Sequence, residues 1–187
     1  MELKVYHQDC NAPYKQLAIL LHEAYKTRKD EGLIFQCSNF TESELHDHVY
    51  NGYLIVAYED EKPIGMVALI PKKRFGISFV THEYLAVSAK KRNSGIATSL
   101  FLALFTKAEE NGFDFIISST AVGAKSSVRY HEKMGFITFL YVAFPKANYY
   151  SYCFIYPIKK FKFLRFSLFR IPLLYVSKTI TRLTKRR

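Results

Sequence analysis

Residues 87–98, VSAKKRNSGIAT, place a basic run and a glycine at the start of a long apolar helix pattern. The first amides of a helix have no intrahelical partner, and the helix dipole favours negative charge at that end. Gly95 has no Cβ to keep a phosphate away from the main chain, and Ser94 could cap the helix or donate to a phosphate oxygen. The cations at 90–92 add positive charge at the entrance. The stretch therefore predicts an anion site, and the alternative is an ordinary solvated basic turn.

This loop joins a predicted strand to the strongest helix pattern of the chain. Residues 83–87, EYLAV, predict a strand that ends at the loop. From Gly95 to Asn111 apolar residues recur at spacings of four, and Gly112 occupies the place of a helix-ending residue. Neither the GxxxxGK[ST] pattern of a P-loop nor the GxGxxG dinucleotide fingerprint is present, so these two kinds of nucleotide site are excluded.

The rest of the chain predicts a mixed sheet with helices on its faces. Thr41 and Glu44 have the spacing of a capping box, which opens a short helix. Two apolar runs around 59–62 predict an antiparallel hairpin within 53–71. Further strands are predicted at 2–7, 113–120, 136–144 and 149–157, and further helices at 14–29 and 124–134. The fold class is α/β of the mixed α+β kind, with six to seven strands and about four helices.

Composition is typical of a single domain in a reducing compartment. The chain has 187 residues, of which 49% are hydrophobic, and this is enough to form a core. Its three cysteines, Cys10, Cys37 and Cys153, are widely separated, so neither a disulfide framework nor a zinc site is expected. The first ten residues lack the apolar segment of a secretory signal. We expect a cytoplasmic protein.

The net charge of +11 is concentrated at one end of the chain. Residues 159–187 carry ten Lys and Arg and no acid, which leaves 17 basic against 16 acidic residues elsewhere. We therefore divide the chain into a domain at 1–158 and a basic, Phe-rich extension at 159–187. The longest uncharged run of the extension, 171–177, is too short to span a bilayer. Bulky apolar residues between cations favour an anionic membrane surface at the inner face of the membrane, with packing on the domain or a dimer partner as the alternative; nucleic acid is least favoured.

Several motifs together carry a family resemblance. RNSGIA at 92–97 matches the R/Q-x-x-G-x-G/A motif of the GNAT superfamily of acyl-CoA-dependent N-acyltransferases. Residues 85–87 resemble the end of that family's fourth strand, and 53–69 its second and third strands. RYHEKMGF at 129–136 resembles its fourth helix leading into strand six. The resemblance covers residues 2–158 and implies a splayed sheet whose fourth and fifth strands separate.

The resemblance also implies how acetyl-CoA, a co-substrate, would be held without a metal. The pantetheine would pair with the main chain of 85–87, and the amides of 92–97 would cradle the pyrophosphate. The family often has Asn where this chain has Ala124, so Ser126 or Ser127 would have to replace that contact. The expected cofactor-binding residues are Leu85, Ala86, Val87, Arg92, Asn93, Ser94, Gly95, Ile96, Ala97, Thr98 and Ser127.

Two residues are the catalytic candidates that the resemblance implies. His131 stands where the family often has a Tyr that protonates the leaving thiolate, and an imidazole could do the same work. Tyr130 points elsewhere on the helix and ranks lower. Glu83 stands where the family often places the carboxylate that takes the amine proton through water, and a backbone N–H at Val87 or a neighbour would meet the oxyanion. The alternative for His131 is a histidine that only packs. The alternative for Glu83 is a surface charge at a strand end, paired with its neighbour His82 on the opposite face.

The implied activity is transfer of an acetyl group from acetyl-CoA to a primary amine of a small molecule, such as an amino sugar or an amino-acid-like metabolite. Two alternatives stay open: a peripheral-membrane acyltransferase that uses a longer acyl thioester, and a CoA-binding module without turnover. A homodimer is also open. The acceptor would lie among aromatic residues of 14–50 and 139–156, namely Tyr25, Phe35, Phe40, Tyr141, Phe144, Tyr149, Tyr150 and Tyr152.

Overall fold

The structure is a computed structural model that describes residues 1–9, 11–74, 76–144, 147–159, 174 and 176–181. Its strands are β1 Glu2–His7, β2 Tyr53–Glu59, β3 Lys62–Arg74, β4 Ile77–Val87, β5 Phe115–Ala121, β6 Ile137–Ala143 and β7 Tyr150–Pro157. Its longer helices are α1 Tyr14–Asp30, α2 Glu42–Val49, α3 Ile96–Glu110 and α4 Lys125–Lys133. The mixed α+β class is confirmed.

The strands form one sheet in the order β1-β2-β3-β4-β5-β7-β6. Only the central pair, β4 with β5, is parallel, and every other neighbouring pair is antiparallel. A parallel pair requires a crossover connection, and α3 supplies it. The loop that precedes α3 therefore lies at the carboxyl end of β4, beside the central pair of strands.

The two central strands separate after a short paired stretch. Residues 79–82 of β4 pair with 115–118 of β5, and no later pair joins them although β4 runs to Val87 and β5 to Ala121. A bulge adds one residue to β4 opposite β3, and Tyr84 lies there at φ 55°. A bulge bends its strand and re-aims the side chains around it. The expected splay is present, with His82 and Ser118 as the last pair before the gap.

The sheet is covered on both faces. One cluster of buried side chains joins α1 and α2 to the sheet, and a second joins α3 and α4 to the other face. Gly65 of β3 lets α3 approach closely, because a Cβ there would lie 2.8 Å from Cγ2 of Ile96. The capping box of Thr41 and Glu44 is confirmed. Gly112 has φ 69° just beyond α3, as predicted for a helix-ending glycine.

Helix α3 offers a matched pair of leucines that tests the core. Leu104 is fully buried against the sheet, whereas Leu102 on the same helix is 58% exposed. We expect Leu104→Ala to lower the free energy of unfolding by about 2–5 kcal/mol, because it removes buried methyl groups and leaves a cavity. Leu102→Ala should change it by less than about 0.5 kcal/mol. Urea unfolding of both variants measures the difference, and equal losses would contradict this packing.

Strand β4 is longer than the sequence indicated. It begins at Ile77, whereas only 83–87 were predicted as strand. The missed half contains Ser78, Thr81 and His82, whose polar character hides the strand pattern. The polar ring of His82 bonds to Ser118, and the main-chain amide of Ser78 donates to Asp114. Buried hydrogen-bond partners that come from distant sequence explain the miss.

Only part of the basic extension lies among the described residues. Residues 176–181 are helical and lie along β6, the edge strand of the sheet. Ser177 Oγ accepts from the Tyr141 amide at 3.0 Å, and Thr181 Oγ1 donates to the Tyr141 carbonyl at 3.0 Å. The predictions for 160–173, 175 and 182–187 lie outside the described residues. Among the residues that are described, no helix is long and apolar enough to cross a membrane.

Candidate active site at the splayed strands

The loop before α3 has an unusual main-chain conformation. Gly95 is the N-cap of α3 at φ 86°, and Asn93 has φ 63°. Left-handed residues within a loop turn successive N–H groups toward one side, which makes a concave anion site. Ser94 does not cap the helix, since its hydroxyl donates to the Lys91 carbonyl at 2.6 Å. The loop therefore offers a phosphate mainly main-chain donors, at the positive end of the helix dipole.

Two of the three basic side chains of this loop contact the chain itself. Lys91 Nζ lies 2.6 Å from a carboxylate oxygen of Glu59. The Arg92 guanidinium donates to the Ala24 carbonyl at 3.1 Å and to Thr27 Oγ1 at 3.3 Å, which ties the loop to α1. Arg92 thus helps to position the loop against α1. Because both side chains are already bonded, Lys91 and Arg92 would act on an anion at the entrance only by long-range attraction.

A cavity of about 810 Å³ follows the gap between the central strands. Its wall is formed by β4 and β5, one side of α1, the start of α3 and the first turns of α4. Of the expected cofactor-binding residues, the wall includes Leu85, Ala86, Val87, Arg92, Ala97 and Ser127. The remaining ones, Asn93, Ser94, Gly95, Ile96 and Thr98, belong to the adjoining loop and the first turn of α3, with the Ile96 side chain buried in the core.

His131 lies in this wall and is almost completely buried, with 3% of its surface exposed. Its Nδ1 is 2.7 Å from the Ser127 carbonyl oxygen, and its Nε2 is 2.8 Å from the Ser118 hydroxyl. Burial lowers the pKa of His131 to about 4. A neutral imidazole with both nitrogens bonded in this way has no free N–H for a thiolate. The predicted acid role of His131 stays a prediction, and a proton from it would have to pass through Ser118.

Tyr130 lines the same cavity beside His131, with ring centroids 5.4 Å apart. Its hydroxyl donates to the Ala97 carbonyl in the first turn of α3, at 3.3 Å. Burial raises the pKa of Tyr130, so that the phenol keeps its proton across the neutral range. Tyr130 ranked below His131 on helix direction, yet both side chains reach the cavity. The long hydroxyl bond leaves Tyr130 as a proton donor that a ligand could recruit.

Glu83 follows His82, the last residue of β4 that pairs with β5, and it is half-buried in the cavity wall. Thr81 Oγ1 donates to its carboxylate at 2.6 Å, so the two side chains share one face of β4. His82 between them faces the other way, toward Ser118. Burial raises the pKa of Cys37 to about 12, and the negative charge of Glu83 contributes to that rise. A carboxylate held beside an apolar wall can accept a proton or pair with an amine.

Aromatic side chains enclose the end of the cavity near Glu83. The rings of Tyr25 and Phe35 are 5.3 Å apart, and those of Phe35 and Tyr149 are 4.9 Å apart. Asn148 joins the same two segments, since its amide nitrogen donates to the Gly32 carbonyl at 2.7 Å. The aromatic residues of the cavity wall are Tyr25, Phe35, Phe40, Tyr84, Tyr130 and Phe144. Of the other predicted acceptor residues, Tyr141 and Tyr150 stack on each other in β6 and β7 at 5.2 Å.

Sequence reasoning missed Ser118, which is buried at the point where the strands separate. In the sequence Ser118 is recognisable only as a polar residue that follows the apolar run of its strand. That pattern does not indicate which side chains it bonds. His48 Nδ1 lies 3.0 Å from the Tyr84 hydroxyl. Within the described ranges, no group of three His, Cys, Asp or Glu side chains is arranged to hold a metal ion.

Comparisons with known proteins agree with this architecture. The chain is 28% identical over 122 residues to the mouse "Probable N-acetyltransferase family 8 member 5", covering 64% of this chain and 52% of that protein. It therefore spans about half the length of this curated relative. A solved aminoglycoside 6'-N-acetyltransferase complexed with coenzyme A superposes with a TM-score of 0.62 at 17% identity, covering 84% of this chain and 97% of that chain.

A further solved structure with this fold is that of FeeM, an N-acyl amino acid synthase from uncultured soil microbes. It superposes with a TM-score of 0.66 at 13% identity, covering 87% of this chain and 98% of that chain. At such identities the two solved structures support the fold alone. The model of the Acetyltransferase (GNAT) family matches residues 15–136, which contain the splayed strands, the loop before α3 and α4. With more than half of its length matched, this chain belongs to the GNAT acetyltransferase family.

Proposed function

We propose that this protein transfers an acetyl group from acetyl-CoA to a primary amine of a small molecule, by direct attack in a ternary complex. One observation carries the proposal: the gap between β4 and β5 leads from the loop at 92–97, with its left-handed residues, to a carboxylate in an aromatic pocket. A long thioester fits this path with its phosphates at the loop and its acyl end near Glu83. The main chain of 83–87 pairs with β3 and has no strand partner on the side of β5, where it would bond the pantetheine as an added strand.

The chemistry requires three proton or charge movements. The amine must lose a proton, the tetrahedral oxyanion must be stabilised, and the leaving thiolate must gain a proton. We assign the first to Glu83, through water where the amine does not reach the carboxylate. Main-chain amides of β4 beyond the bulge, Val87 or a neighbour, would meet the oxyanion. The thiolate would take its proton from Tyr130, whose hydroxyl is protonated, or from His131 through Ser118 once His131 Nε2 has itself gained a proton, since the neutral ring accepts a hydrogen bond there.

The test is a screen of primary amines with acetyl-CoA in which release of the free thiol is measured. Wild type is compared with Gly95→Trp, Tyr130→Phe and His131→Phe. We expect thiol release that depends on one class of amine and is lost in Gly95→Trp, because a bulky side chain at φ 86° strains the loop and fills the anion site. Whichever of Tyr130→Phe and His131→Phe loses more amine-dependent thiol release identifies the residue that protonates the leaving thiolate. CoA binding with no amine-dependent release would contradict the proposal and favour a binding module.

A second candidate function is that of a peripheral-membrane acyltransferase with a longer acyl thioester. Val176 and Ile180 stand four residues apart in the helical stretch 176–181 and are 54% and 56% exposed. They lie on one side of that stretch, while Ser177 and Thr181 bond to β6. Exposed apolar side chains among many cations support contact with an anionic membrane. On this proposal the protein is located at the inner face of the cell membrane.

The membrane proposal predicts a loss of vesicle binding from point changes on this helix. We expect Val176→Ser combined with Ile180→Ser to weaken binding to vesicles of phosphatidylcholine and phosphatidylserine by about tenfold or more, since each buried apolar side chain contributes about 1.5–3 kcal/mol. Ile19→Ser, an equally exposed site on α1, is the control and should leave binding unchanged. A co-sedimentation assay measures both, and equal binding of the double variant and wild type would exclude this contact.

A further inference from the structure

Three buried side chains form one hydrogen-bonded chain where the central strands separate. Ser118 Oγ on β5 lies 2.8 Å from His131 Nε2 on α4 and 3.0 Å from His82 Nδ1 on β4. His131 Nδ1 in turn lies 2.7 Å from the Ser127 carbonyl oxygen. Only 4% of Ser118 and 6% of His82 is exposed. The arrangement brings together three different elements at the floor of the cavity.

The hydrogen-bond partners assign the protons. The Ser127 carbonyl can only accept, so His131 carries its proton on Nδ1, and its Nε2 is an acceptor as long as the ring is neutral. Burial lowers the pKa of His131 to about 4, which keeps the ring neutral at physiological pH. The Ser118 hydroxyl therefore donates to His131 Nε2 rather than to the His82 carbonyl, which is farther away at 3.3 Å. His82 Nδ1 then donates to Ser118 Oγ.

This geometry is that of an activated hydroxyl. A nucleophilic serine is recognised by a base within about 2.6–3.2 Å of its hydroxyl and by a third group that orients the base. Here the base is His131 and the orienting group is the Ser127 carbonyl. Ser118 Oγ accepts one hydrogen bond from His82, which leaves its other lone pair free for attack. Ser118 also lines the cavity through which the thioester would enter.

We propose that Ser118 is a nucleophile that takes the acyl group from a CoA thioester, with His131 as its general base. The proposal rests on the proposed function for its donor, acetyl-CoA. It adds an activity that does not need an amine: slow formation of an acyl-serine and its hydrolysis. Direct transfer to the amine and acylation of Ser118 are then two competing fates of the same bound thioester.

The step balances without another reactant. Ser118 Oγ attacks the thioester carbonyl carbon, and the hydroxyl proton moves to His131 Nε2. The carbon–sulfur bond breaks, and His131 returns the proton to the thiolate, which leaves free CoA thiol and an acetyl ester on Ser118. Water, deprotonated by His131, then attacks the ester and releases acetate, restoring the serine. A base with so low a pKa removes a proton slowly, so we expect acylation to be slower than transfer to a good amine acceptor.

The test incubates the full chain with acetyl-CoA and no amine, followed by acid quench, proteolysis and mass spectrometry of the peptide that contains residue 118. We expect one acetyl group on Ser118, accompanied by free thiol release. Both should be lost in Ser118→Ala. The matched control is Ser119→Ala, which alters the exposed neighbour on the same strand and should keep the label on Ser118. Ser118→Cys tests the same position with a stronger nucleophile and should accumulate a hydroxylamine-sensitive acetyl thioester.

The outcomes separate this inference from the proposed function. Amine-dependent thiol release without any label on Ser118, and without label in folded Ser118→Cys, would overturn the inference and leave the transferase proposal intact. Wild-type label found on Cys37 or a lysine and not on Ser118 would overturn it as well. Label on Ser118 without turnover of any amine would support the inference and defeat the proposed function. Circular dichroism of each variant confirms that it is folded.

Discussion

Replacement of Glu83 by Gln should lower amine-dependent turnover by about 10²–10⁴-fold at neutral pH, the usual contribution of a general base. The amide keeps the size of the side chain and its hydrogen bond from Thr81, but it cannot accept the amine proton. Glu83 lies just beyond His82, the last residue of β4 that pairs with β5, and it lines the cavity together with aromatic side chains. We therefore expect the affinity for CoA to stay within about twofold of wild type.

Steady-state thiol release and CoA titration of the same preparations measure the two effects. Glu132→Gln is the matched control, because this carboxylate is exposed on α4 next to His131 and should leave turnover unchanged. Thr81→Val should give a smaller loss than Glu83→Gln, since it removes only the bond that holds the carboxylate. If Glu83→Gln retained wild-type turnover, Glu83 would be a surface charge at a strand end, and the base would have to be sought elsewhere.

Much of the fold could be predicted because its signals are local. The capping box at Thr41 and Glu44, the apolar spacing of α3 and the glycine after α3 each depend on contacts within a few residues. The start of β4 was missed because half-buried Ser78 and buried His82 have hydrogen-bond partners more than 30 residues away. Apolar periodicity predicts a strand from the alternation of side chains along it. It fails where a polar side chain is bonded to a partner from another part of the chain.

In the candidate site too, features that depend on local sequence were predictable and those that depend on side-chain contacts were not. The loop around Gly95 was recognisable because a glycine at a strand–helix junction has a main-chain reason, now seen as φ 86°. The tie of Arg92 to α1 and the bond of Ser94 to Lys91 were not predictable, since each depends on where a side chain finds an acceptor. Ser118 was overlooked for the same reason: its role arises only when β4, β5 and α4 meet.

The two buried histidines should make the protein sensitive to mild acid. Burial lowers the pKa of His131 to about 4, and burial together with the nearby His131 lowers the pKa of His82 to about 3. In the unfolded chain both would titrate near 6.5. Between pH 6.5 and 4 the unfolded state therefore binds protons that the folded state does not, and the free energy of unfolding falls as the pH falls.

Each histidine should cost about 2 kcal/mol of stability between pH 7 and pH 5, at about 1.4 kcal/mol per pH unit below 6.5. Urea unfolding at the two pH values measures the loss.

His82→Gln and His131→Gln each remove one titrating group, so each variant should lose about 2 kcal/mol less than wild type over this interval, whatever its stability at pH 7. Phe154→Leu is the control: its ring stacks on His131 at 4.5 Å, and its loss should lower stability while leaving most of the pH dependence. If both histidine variants lost as much stability between pH 7 and pH 5 as wild type, the chain of His82, Ser118 and His131 would not be buried as a neutral unit.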